Sequence, residues 1–208
     1  MFDWATISGA GRVVAVTVSV AAVLALTVAP GSAMTQDREY GVRVRADPAA
    51  VMLCHGFGCA FRTPVVLSSA DRAALRRAFG GRHGTPARER QGIARAVAAF
   101  EARMGARVGF ADDQPRNSDA SLHDPTQLDC IDETNNTDVL LEVLEEMELL
   151  RHHSVGPRLR RGFFVSVHNS ASVTERATGD IYAIDSWPTA NGQPPEIVPK
   201  AIWQANGV

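Results

Sequence analysis

The sequence predicts an α+β domain. Three observations carry this. Apolar residues recur at helical spacing in residues 68–79, 86–104 and 131–150, two β-rich runs follow at 163–173 and 180–187, and helices precede strands instead of alternating with them.

The first segment stands apart from that domain. Residues 13–29 (VVAVTVSVAAVLALTVA) are an unbroken run of apolar or small side chains, preceded by Arg12 and followed by Pro30-Gly31-Ser32-Ala33. This pattern reads as a secretory signal peptide over residues 1–33, cleaved after Ala33. A run of about 17 residues also lies at the short end of what spans a bilayer, so an uncleaved membrane anchor is the competing reading. Either way the chain is expected to be exported: periplasmic or secreted, or held at the inner membrane by that segment. Residues 34–208 then form one domain.

Within it, residues 34–40 form a polar leader, and residues 41–45 (GVRVR) and 50–54 (AVMLC) read as strands. Ser68 caps a helix that stops at Gly80-Gly81. A second helix starts at Pro86, with Ile93, Val97, Phe100 and Met104 on one face. Residues 111–127 carry Asp, Ser, Asn and Pro without apolar period and read as a surface loop. The third helix, 131–150, buries Val139, Leu140, Val143, Leu144, Met147 and Leu150, with Asp129 as its N-cap. The two strand runs then form an antiparallel hairpin around residues 175–178, and the Pro-rich tail is expected to be an irregular wrap.

Composition excludes some partners. A formal net charge of -2 over 208 residues leaves no basic footprint for nucleic acid or an anionic membrane surface. No cofactor is implied.

Only three cysteines occur. In an oxidising compartment, Cys54 and Cys59 of CHGFGC form the obvious disulfide. A small metal site using Cys54, His55 and Cys59 is the alternative, although no second Cys/His cluster completes four ligands. Cys130 is left unpaired, at the start of the third helix. Helix N-termini favour thiolates, so the position predicts a lowered thiol pKa. A nucleophilic cysteine needs a base, and the base needs an orienting group. His168 and Asp185 on the hairpin supply both: if Thr174 pairs with Gly179, the same count sets His168 directly opposite Asp185. Trp187 would then be core or the wall of a substrate cleft. The bland alternative makes Cys130 a small core residue.

The order Cys at a helix start, His on one strand and Asp on the next, in QLDCIDETNNT, HNSASV and GDIYAIDSW, resembles the transglutaminase-like superfamily of papain-fold enzymes. The nearest likeness is to bacterial exported transglutaminase-like cysteine peptidases, over Gln127 to Trp187. The resemblance implies a papain/transglutaminase-like core with a long N-terminal Cys-bearing helix packed on an antiparallel sheet. It also implies Cys130 as nucleophile, His168 as general base and acid, Asp185 as orienter and Gln127 as an oxyanion-hole donor. The substrate class implied is a peptide or protein amide. The chain departs from classical transglutaminases in lacking an aromatic after His168 and a Pro after Asp185. A fold-only binding module is the non-catalytic counterpart.

Overall fold

The computed structural model describes residues 50–118, 124–163 and 166–206. The expected signal segment, the polar leader, the 41–45 strand and His123 lie outside these residues. The described chain is α+β with antiparallel sheets.

Strands β1 (Ala50–His55) and β2 (Phe61–Val66) make a two-stranded sheet. Helix α1 (Ser69–Phe79) opens with a reciprocal capping box between Ser68 and Asp71 and ends on Gly80, whose φ of 90° is the left-handed cap that glycine adopts without cost. Helix α2 (Pro86–Val108) starts with Pro in its first turn under a Thr85 cap. It runs four residues beyond Met104, because the periodic face ends before the glycine that stops the helix, Gly109.

Helix α3 (Cys130–Glu146) carries the cysteine as its first residue. Among the described residues it is the third helix, preceded by β1, β2, α1 and α2, and it ends short of Leu150. Glu148 turns the chain with φ of 56°, and Leu149 N–H reaches back to Leu144 O at 3.0 Å, so Leu149 and Leu150 stay buried while leaving the helix. The apolar stripe continues through a turn, which periodicity does not distinguish from a helix.

The larger sheet has five strands: β3 (His153–Val155), β4 (Leu159–Phe163), β5 (Ser166–Glu175), β6 (Ile181–Asp185) and β7 (Glu196–Pro199). Their order is β3-β5-β6-β7, with β4 also pairing β5, all antiparallel. The short helix α4 (Lys200–Ala205) follows. The tail is therefore not an irregular wrap throughout: β7 is short and bounded by prolines in sequence, and its pairing with β6 decides its conformation.

The hairpin register differs from the expected one by two residues. Glu175 N–H bonds Asp180 O, Gly179 takes φ of 77°, and the first ladder pair is Thr174 with Ile181. A shift of two keeps every side chain on its face, where a shift of one would have exchanged the faces. Ala171, Val173 and Ile184 pack into the main core with α2 and α3. Ala183 and Trp203 form a second, smaller core with Leu159 on the other face.

Candidate functional site

Helix α3 is buried without a break from Asp132 to Asp138, so the polar side chains there must find partners within the protein. Asn136 does so by bonding the backbone of Cys54 in both directions, accepting from N–H at 2.8 Å and donating to the carbonyl at 2.9 Å. This ties the first turns of α3 to the end of β1, beside the disulfide loop.

Cys54 and Cys59 are joined to each other. Neither sulfur is then a thiolate, which removes the Cys54–His55–Cys59 metal site; His55 instead bonds Pro125 O and Thr63 Oγ1. Gly56, Phe57, Gly58 and Cys59 have φ of 81°, 67°, 63° and 61°. The two non-glycine residues cost roughly 1–2 kcal/mol each in this region. The backbone N–H groups they expose offset that cost: Phe57 and Cys59 donate to the two oxygens of Asp132 at 2.8 and 2.7 Å, and Gly58 donates to Asp129 at 2.8 Å. The disulfide loop thus clasps the residues on either side of Cys130 and Ile131. Asp129 also caps the helix through Ile131 N–H and Asp132 N–H.

The Cys130 thiol is free and partly buried. Its sulfur lies 3.9 Å from Val167 O and 3.7 Å from Asn169 Nδ2, the residues flanking His168. Burial pushes its pKa up, and the charges of Asp129 and Asp185 add to that, against the lowering donors of Asn169. This direction is opposite to the lowered pKa expected from the helix start: desolvation is the largest cause, and two carboxylates add to it.

His168 and Asp185 do meet. Nε2 of His168 is 2.6 Å from Asp185 Oδ2. In the actual register they are diagonal neighbours instead of direct opposites, a separation that an imidazole and a carboxylate still bridge. The residue facing His168 by count is Trp187, and its ring packs on the imidazole with centroids 4.6 Å apart. Trp187 Nε1–H donates to Asn117 O. Trp203 covers the same imidazole at 5.5 Å. His168 is fully buried, and its Nδ1 has no hydrogen-bond partner. Among the described residues no hydrogen bond joins Cys130 to His168.

Gln127 does not serve the thiol in this arrangement. Its side-chain oxygen accepts from Gln114 N–H and Asn117 Nδ2, and its amide nitrogen lies toward Asp112 O and Thr126 O. It organises the 112–117 loop. The side-chain donor on the sulfur is Asn169, which lay unweighed beside His168 in the sequence.

Behind α3 lies a group of buried acids that sequence reading missed. Glu133 accepts from Ser186 Oγ at 2.8 Å, Glu101 from Gly192 N–H at 3.2 Å and Asp113 from Leu128 N–H at 2.6 Å. Burial raises Glu101 to about 8, Asp113 to about 7 and Asp132 to about 7, and lifts Glu133 well above the usual carboxylate range. Elsewhere, Glu89 is buried and accepts from the backbone N–H groups of Arg151, His152 and His153 and from His153 Nδ1. That accounts for His153 as a structural residue, while His152 bonds His83 O. No protein-family model, curated protein or solved structure matches the chain.

Proposed function

We propose that the chain is an exported cysteine-dependent amide hydrolase or acyltransferase built on a papain/transglutaminase-like core. The observation that carries the reading is the orientation of His168. Its Nε2 is committed to Asp185, which leaves the buried, unpartnered Nδ1 as the acceptor for a proton from a thiol lying against the neighbouring residues.

The raised thiol rests protonated, so attack is coupled to proton transfer. The Cys130 S–H proton passes to His168 Nδ1 as sulfur adds to the amide carbonyl. Collapse of the tetrahedral species breaks the C–N bond, the amine leaves with the proton from His168, and a thioester remains. Water or a second amine then adds to the thioester carbonyl, giving its proton to His168, and the C–S bond breaks as His168 returns that proton to the sulfur. The Cys130 backbone N–H lies in the first turn of α3, where no intrahelical acceptor exists, and suits an oxyanion. Asn169 Nδ2 takes the side-chain share in place of Gln127.

Iodoacetamide should label Cys130 in the folded, non-reduced protein, and His168→Ala should slow that labelling more than about tenfold at neutral pH. Equal rates would remove the triad. The second reading, a binding module that retains the fold without the chemistry, is favoured by the complete burial of His168 under two indoles. It predicts those equal rates.

A further inference from the structure

Asp185 is held from the far side as well as by His168. The same Oδ2 that meets His168 Nε2 at 2.6 Å accepts from Trp203 Nε1–H at 2.7 Å. Trp203 is fully buried on α4, and Arg161 lies against its ring, with the guanidinium carbon 4.4 Å from the ring centre. Arg161 Nη1 donates to Trp203 O, and Nη2 stands 4.0 Å from Asp185 Oδ2.

An indole N–H only donates, so Asp185 must act as acceptor toward it. Asp185 Oδ2 thus faces an indole N–H and, at 4.0 Å, a guanidinium, surroundings made of donors only. It therefore also accepts from His168, whose proton stays on Nε2. Nδ1 is left as the basic nitrogen.

We propose that Trp203, backed by Arg161, is a positioning residue: it fixes Asp185 as the acceptor that locks His168 in its Nε2–H tautomer. Its use in catalysis rests on the reading of His168 as base, whereas the tautomer itself does not depend on Cys130 reacting. Packing alone would be satisfied by any large ring at position 203; the directed N–H bond to the same oxygen is what a positioning role requires.

The test is Trp203→Phe, which keeps the ring and removes the N–H. With ¹⁵N-labelled histidine, the unsubstituted protein should show His168 as a single Nε2–H tautomer. The variant should show a mixture, with Cys130 alkylation by iodoacetamide slowed about tenfold and its pH profile displaced. A variant that keeps both the tautomer and the profile overturns the proposal. If the tautomer changes while alkylation slows neither in this variant nor in His168→Ala, the positioning of His168 stands and the nucleophile reading falls. Should the variant fail to fold, the unsubstituted protein decides: His168 must show the single Nε2–H tautomer and the Trp203 indole N–H a hydrogen-bonded, downfield resonance, and the absence of either overturns the proposal.

Discussion

Replacing Asp132 by alanine removes the acceptor for both Phe57 N–H and Cys59 N–H, bonds that are buried. An orphaned buried donor costs roughly 1–3 kcal/mol, so two cost roughly 2–6 kcal/mol. Against this, alanine relieves the burial of the carboxyl itself. Because burial raises that group to about 7, it is mostly protonated at mildly acidic pH and little charge desolvation is recovered there. The expected net loss at mildly acidic pH is about 3 kcal/mol, and about 1 kcal/mol for Asp132→Asn, which keeps one acceptor oxygen. Urea unfolding followed by circular dichroism measures this, with an unchanged m-value as the check that only stability moved. A loss below about 0.5 kcal/mol for the alanine variant is the size of an ordinary surface change. It would mean that the left-handed loop finds other acceptors and does not depend on the start of α3.

Two further outcomes are expected. Glu101, Asp113, Asp132 and Glu133 all have folded pKa values above their unfolded ones, so the folded state binds more protons than the unfolded chain between about pH 4 and 8. Stability is then fully present below that window and falls as pH rises through it, by about 1.4 kcal/mol per pH unit for each extra proton bound; Asp71, held at about 2 by Ser68 and Arg103 against its burial, adds stability only as pH rises from about 2 to 4. Thermal midpoints across pH 4 to 9 read this, and a curve rising toward pH 8 would contradict the buried acids. Glu89→Ala should destabilise by about 3–5 kcal/mol, since it strands three backbone N–H groups and the His153 ring at once; Glu89→Gln should cost less, and chemical unfolding compares the two.

Helix α1 was legible because Ser68 is a local start signal and Gly80 a local stop, and the start of α2 because of Pro86; the end of α2 was not, since its apolar period fades before Gly109. Asp129 likewise announced α3. The His168–Asp185 contact was legible through the two-residue period of strands, which tolerates a register error of two and no other. What stayed hidden depends on contacts between distant segments. The Glu89 nest for residues 151–153, the grip of Asn136 on Cys54 and the bond from Trp203 to Asp185 each join segments tens of residues or more apart, or a tail to a strand, with no local pattern. The thiol's direction was misjudged for the same reason: a helix start is visible in sequence, whereas the burial and the neighbouring carboxylates that outweigh it are not.

The loop from Gly56 to Cys59 winds against the hand that L-amino acids prefer over four successive residues. In mirror-image terms this segment is native-like for D-residues. At Gly58, where nothing lies within 4 Å of an added L-methyl, the cost of L-alanine would be its backbone angle alone, a φ of 63°, which a D-residue adopts without that strain. Chirality at one atom, with no change in size or polarity, would therefore decide whether backbone strain enters the loop that grips the cysteine helix.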